Sequence, residues 1–278
     1  MRYAIVSDIH SNLVALRAVL RDIEKRGGVS GVWCLGDTVG YGPDPNACID
    51  TIRQYKRRLV VAGNHDFGAV DKLDTGAFNL HAAMACKWNG AQLGKRQRNY
   101  LSNLPTVVTS GDFTLVHGSP RDPLSEYVGS WNCRLNFPYF NTRVCLVGHS
   151  HVPQVWELLP GGEIRVRYVT HGMNVLVGKN RLIVNPGSIG QPRDTDRRAS
   201  YAIYNDLTQT IVFYRVRYDI GEASQRERTS GLWAGVIRTQ LLQEQEWLEG
   251  WKERGKGTST AATGFYTWES DNGERWDV

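Results

Sequence analysis

The chain carries only seven histidines, and five of them stand just past short apolar runs. They are His10, His65, His117, His149 and His151, and Asp8, Asp37, Asn64 and Asp66 sit in the same places. Asp8 and His10 are two residues apart, as are His149 and His151. Alternation along an extended strand end puts such a pair on one side, where both members reach one ion. Imidazole, carboxylate and amide oxygen without cysteine is a donor set for Mn, Fe, Zn or a similar divalent ion, not for a structural zinc cluster. Seven candidate ligands at these strand ends exceed what one ion takes. They suit two ions sharing a bridge, spaced roughly 3.5–4 Å. Asp37, alone on its loop, is the natural bridging carboxylate. Two such ions lower the pKa of a bound water from about 15.7 toward about 7 and neutralise charge building on a phosphoryl oxygen. Burying so many ionisable groups with only one another for company would be costly, which weighs against a merely structural cluster.

The elements that must position these residues are legible as runs. Tyr3 to Val6, Val32 to Leu35, Leu59 to Ala62, Phe113 to Val116 and Val144 to Val147 are short, β-branched and apolar nearly throughout, as in strands covered on both faces. Leu13 to Arg26 has helical apolar spacing and stops at Gly27-Gly28; Pro45 opens a second helix, and Ala77 to Leu104 reads as helical. This alternation predicts an α/β core. In an open α/β sheet the carboxyl ends of the strands gather at one crevice, which brings the five histidines together and leaves His81 and His171 outside. After Val152 the pattern turns to strands with hairpin-like connections: Gln154 to Leu158, Glu163 to Val169, Arg181 to Val184, Ser200 to Tyr204 and Thr210 to Arg217, with turn signals at Pro160-Gly161-Gly162 and Gly178-Lys179-Asn180.

In order along the chain, Asp8-x-His10, Gly36-Asp37, Gly63-Asn64-His65-Asp66, His117 and Gly148-His149-Ser150-His151 resemble the five motifs of the calcineurin-like metallophosphoesterase superfamily. The run from Asn185 to Asp194 resembles its prokaryotic single-domain, phosphodiesterase-like branch, extending the likeness to about residue 218. The resemblance implies a four-layer α/β/β/α sandwich over residues 1–218. It implies that Asp8, His10 and His151 hold one ion, that Asn64, His117 and His149 hold the other, and that Asp37 bridges them. It implies that His65 contacts phosphate and serves as general acid, with Asp66 orienting its ring, and that a metal-bridged hydroxide attacks the phosphoester. Where related protein phosphatases and diadenosine tetraphosphatases carry Arg, in the pattern Gly-Asp-x-Val-x-Arg-Gly, this chain has Tyr41. A diester has fewer charges to neutralise than a monoester, so the change favours phosphodiesters. Arg193 is a candidate phosphate contact, with pairing to Asp194 as the alternative; Asn12 is a substrate contact or a helix cap.

Residues 219–254 read as an amphipathic helical extension and 255–278 as a linker with an aromatic tail. Five of nine Trp lie from Trp233 onward, which predicts packing on the body, on a second copy or over the crevice. Lys+Arg of 33 against Asp+Glu of 28 gives +5, permitting a nucleic-acid partner without arguing for one. The expected partner is a small phosphoester or nucleotide-like substrate. A first apolar run too short for a signal peptide, no long apolar stretch and cysteines within apolar runs predict a cytoplasmic protein without membrane contact. Competing functions are a monoesterase or nucleotide phosphatase, a nuclease, whose binding would fall steeply with salt, and a non-catalytic metal-binding scaffold. The His65–Asp66 pair argues against the last.

Overall fold

The computed structural model describes residues 1–232, 268–269 and 275–276. One compact unit spans Met1–Val236 and a second Ile237–Val278. The chain forms β1 (Arg2–Val6), α1 (Leu13–Lys25), β2 (Gly31–Cys34), α2 (Pro45–Arg53), β3 (Arg58–Val60), α3 (Asn64–Ala69), α4 (Leu80–Gln92), α5 (Lys95–Ser102), β4 (Val107–Ser110), β5 (Phe113–Val116), α6 (Cys133–Asn136) and β6 (Val144–Leu146). It continues through β7 (Gln154–Leu158), β8 (Ile164–Tyr168), β9 (Asn174–Leu176), β10 (Arg181–Asn185), β11 (Ala199–Asn205), β12 (Thr210–Val216) and α7 (Ile220–Thr229). In the second unit, β13 (Trp268–Glu269) and β14 (Arg275–Trp276) pair antiparallel.

Two six-stranded mixed sheets result, ordered β3-β2-β1-β11-β12-β9 and β4-β5-β6-β10-β7-β8. Within the first, β1, β2 and β3 are parallel; within the second, β5, β6 and β10 are parallel. Period-2 alternation sends one side chain of each adjacent pair to each face. Ile5, Trp33, Phe213, Leu115, Leu146 and Val184 form a cluster common to both sheets. The opposite faces use the alternate residues. Val6, Cys34 and Tyr201 meet Leu16, Val19 and Ile23 of α1 and Ile49 of α2. Cys145, Trp156 and Ile183 meet Cys133 of α6 and the nearby Phe137 and Phe140.

The helix expected from Ala77 to Leu104 is two helices. Leu93 is extended between them, and Asn46 pins the break by donating to Gln92 O and accepting from Gly94 N. Four strands lie outside the runs read from the sequence: β4, β9 and the short pair β13 and β14. The turn at Gly178-Lys179-Asn180 closes no hairpin: it leads from β9 in the first sheet to β10 in the second. Asp219 caps α7 by accepting from Glu222 N, and Leu232 just beyond that helix is buried. Residues 233–254, expected as further helix, and most of the 255–278 tail lie outside the described residues. No helix among the described residues is long and apolar enough to cross a membrane.

Candidate metal centre

The parallel strands β1, β2 and β3 deliver Asp8, His10, Asp37 and Asn64 from the first sheet, and β5 and β6 deliver His117, His149 and His151 from the second. The crevice therefore lies where the carboxyl ends of two sheets meet, not at one open sheet. Backbone bonds tie the loops together: Asp8 N donates to Gly36 O (3.1 Å), His10 N to Asp37 O (3.0 Å) and Gly148 N to His117 O (2.8 Å). Asp8 and His10 do not converge by strand alternation, because β1 ends at Val6. Asp8, His10, Asp37, His149 and His151 all hold left-handed backbone, with φ between 48° and 64°. Non-glycine residues adopt this at a cost of about 1–3 kcal/mol each, a strain that clusters at functional sites. Two glycines let the loops close: a Cβ at Gly63 would lie 2.0 Å from Asp37 Oδ1, and one at Gly148 would lie 2.1 Å from Ser7 Oγ.

Each histidine in the predicted ligand set has one ring nitrogen against a backbone carbonyl. His10 Nδ1 donates to Val39 O (3.1 Å), His117 Nδ1 to Leu35 O (2.8 Å), His149 Nε2 to Ser125 O (3.1 Å) and His151 Nδ1 to Gln191 O (2.6 Å). That fixes each neutral tautomer and turns the other nitrogen's lone pair inward. What meets inside is therefore a set of acceptors. His10 Nε2 faces His151 Nε2 at 3.0 Å, with Asp8 Oδ1 3.3 Å from the latter. His117 Nε2 lies 2.9 Å from Asn64 Oδ1, 3.1 Å from His149 Nδ1 and 3.3 Å from Asp37 Oδ2. Asp8 Oδ1 and Asp37 Oδ2 are buried with no hydrogen-bond partner. Acceptors facing acceptors need a cation or a proton between them, so the donor set fits divalent ions. Among the described residues, the groups of three side chains able to hold an ion are Asp8–His10–His151, Asp37–His117–His149 and His10–Asp37–His65.

The metal-free titration follows the same packing. Burial pushes the Asp37 carboxyl up, but His117 and His65 beside it outweigh that and hold it well below the usual range. Burial likewise opposes a charge on His117, yet Asp37 and Asp8 pull its imidazole up to about 9, so a proton is the metal's natural stand-in there. Burial lowers His149 to about 3, with His117 adding to the shift.

His65 and Asp66 are present in the site, but not as a pair. Asp66 accepts from Gly63 N (3.0 Å) and Val39 N (3.1 Å), so its carboxylate braces the two loops around Asp37. The atom against the His65 ring is instead Sγ of Cys86 on α4, 3.1 Å from Nδ1. Burial lowers the His65 imidazole to about 4 despite Asp37, and burial next to Asp37 raises Asp66 to about 7. Asn89, also on α4, was missed as well: its Oδ1 accepts from Ser11 Oγ (2.5 Å) and Gly40 N (3.1 Å), and its amide donates to Gly42 O. Neither α4 residue carries a motif; only their packing reveals them.

A cavity of about 270 Å³ opens over Asp37, Asn64, His65, His149 and His151. Tyr41 and Arg193 also line it, and Arg193 Nη2 donates to Tyr41 Oη (3.4 Å). Asp194 does not hold Arg193, because it pairs with Arg215. Asn12 is the cap of α1, accepting from Ala15 N (3.0 Å). Ser119 and Arg121 both engage Glu126, and His171 accepts from Arg215 N.

The family model for the calcineurin-like phosphoesterase superfamily domain matches residues 1–208. The chain belongs to the calcineurin-like phosphoesterase superfamily. A superfamily-sized match extends to individual proteins. An uncharacterized protein of Methanocaldococcus jannaschii is 36% identical over 228 residues, 80% of this chain and 90% of the relative. The crystal structure of a metallophosphoesterase from Sphaerobacter thermophilus is 41% identical, with a TM-score of 0.75 over 86% of this chain and 98% of that one. A hypothetical protein from Pyrococcus horikoshii OT3 shares the fold, with a TM-score of 0.66 and 22% identity over 85% and 96% of the two chains.

Proposed function

We propose that the protein is a phosphohydrolase that uses two divalent ions, of Mn, Fe, Zn or a similar metal, to cleave phosphodiesters. The observation that carries this reading is the inward-facing set of acceptors. Asp8, His10 and His151 would hold one ion, and Asn64, His117 and His149 Nδ1 the other. Asp37 would join them through Oδ2, which lies 3.7 Å from His10 Nε2 and 3.3 Å from His117 Nε2. Ions bound there supply hydroxide at neutral pH and offset charge on the phosphoryl oxygens.

The remaining work belongs to side chains. His65, held through Nδ1 by Cys86, presents its other nitrogen to the substrate and hands a proton to the leaving oxygen. An anionic phosphoester in the cavity raises the proton affinity of His65, countering the effect of burial. Arg193 brings a guanidinium to the loop where Tyr41 replaces arginine, and so steadies a non-bridging oxygen. A single guanidinium suits the single negative charge of a diester better than the two charges of a monoester. The test compares bis-p-nitrophenyl phosphate with p-nitrophenyl phosphate in Mn²⁺. The diester should be cleaved at least as fast; a large monoester preference would sink the assignment.

A further inference from the structure

The geometry points to a nucleoside as the group esterified to the phosphate, with Tyr127 as the platform on which its base stacks. This deepens the phosphoester reading and rests on it. The Tyr127 ring lies flat on the His149 ring, with centroids 4.0 Å apart and planes within 15°. His149 is placed in turn by its bond to Ser125 O, two residues before Tyr127. Tyr127 lines the cavity over the acceptor cluster and is 44% exposed. One ring face is thus covered by a fixed imidazole, and the residue keeps open surface at the cavity. Hydrogen bonds tie down the loop behind it: Glu126 takes Ser119 Oγ and the Arg121 guanidinium, and Asn132 donates to Tyr127 O (2.8 Å).

The rest of the cavity agrees. At about 270 Å³ it holds more than a phosphate group and approaches the low end of small-molecule sites, about 300–1,000 Å³. Phe78 and Tyr41 line it too, each packed on His65, with ring centroids at 5.2 Å and 4.7 Å. Aromatic rings therefore pack on both His65 and His149. A sugar phosphate alone would leave the exposed part of Tyr127 uncovered, whereas a planar base covers it. Because every base has a π-face, stacking selects a nucleoside without selecting which one.

The test isolates the base by comparing adenosine 5′-monophosphate with ribose 5-phosphate, which share sugar and phosphate. Both are titrated calorimetrically into Mn²⁺-loaded protein and assayed as inhibitors of bis-p-nitrophenyl phosphate hydrolysis. The nucleotide should bind roughly 5- to 150-fold more tightly, the range that base–aromatic stacking supplies. Tyr127→Ala should shrink that ratio to near one and Tyr127→Phe should preserve it, with metal content measured in both because Tyr127 packs on His149. Equal binding of the two ligands by the unaltered protein overturns the inference, as does a ratio that survives Tyr127→Ala. Base-dependent binding without hydrolysis of any ester would instead refute the catalytic reading and leave the platform standing. Hydrolysis without base dependence would do the reverse.

Discussion

Stripping the metal should destabilise the fold, and the structure sets the scale. Asp8 Oδ1 and Asp37 Oδ2 are buried without a partner in the metal-free chain. Leaving a buried polar group unsatisfied costs about 1–3 kcal/mol, so these two oxygens together cost about 2–6 kcal/mol. A domain of this size moves roughly 2–4 °C per kcal/mol, which puts the loss of Tm on chelation at roughly 4–24 °C. Protonation of His117 supplies part of the missing positive charge. Its imidazole is raised from 6.5 to about 9, so its contribution to stability is complete below about 6.5 and is lost as pH rises through about 9. The gap in Tm between Mn²⁺-loaded and chelated protein should therefore widen from pH 6.5 to pH 9. The assay is thermal unfolding followed by circular dichroism, with chelation verified by metal analysis. A Tm that moves by less than about 2 °C on complete metal removal, at either pH, would refute the reasoning about orphaned acceptors.

Other predictions concern the proton and the groups that handle it. His65→Ala should keep both ions but slow hydrolysis about 10²- to 10⁴-fold with poor alkoxide leaving groups, and far less with p-nitrophenolate. Equal losses across leaving groups would remove the general-acid assignment. Cys86→Ala should reproduce a milder form of that leaving-group dependence while Cys86→Ser, which keeps a hydrogen-bonding atom near His65 Nδ1, restores it; identical behaviour of the two variants would mean that Cys86 only fills space. Because an ion must displace the His117 proton, Mn²⁺ affinity should rise by up to about tenfold per pH unit below about 9. Affinity that is flat from pH 6 to 8 in direct titration would contradict that.

The motif residues were legible because their types are so improbable together: an apolar run ending in Asp-x-His or His-x-His has few uses besides an ion. The strands were legible for the same physical reason, since runs such as Val32 to Leu35 are buried on both faces. Strand β4 was not, because it is largely exposed and lacks the buried apolar run of the inner strands, and β9 is only three residues long. The way the ligands turn inward was also hidden. Asp and His take up left-handed backbone more readily than most residues, but the surrounding loops decide that Asp8 and His10 adopt it here. The neighbours of His65 differ from those the resemblance implies: the start of α3 turns the Asp66 carboxylate back onto Gly63 N, and α4 brings Cys86 to the ring. Side chains twenty or more residues away leave no local pattern to read.

Phosphodiester hydrolysis by two ions joined by Asp37 has a decisive test: titration of metal-free protein with Mn²⁺, following bound metal and the turnover of bis-p-nitrophenyl phosphate, for the unaltered chain and for Asp37→Ala. Two ions per chain are expected, with turnover that rises as the second binds and with both full loading and activity lost in Asp37→Ala. Full activity with a single ion, normal turnover in Asp37→Ala, or no turnover at full loading would rule out the two-ion centre.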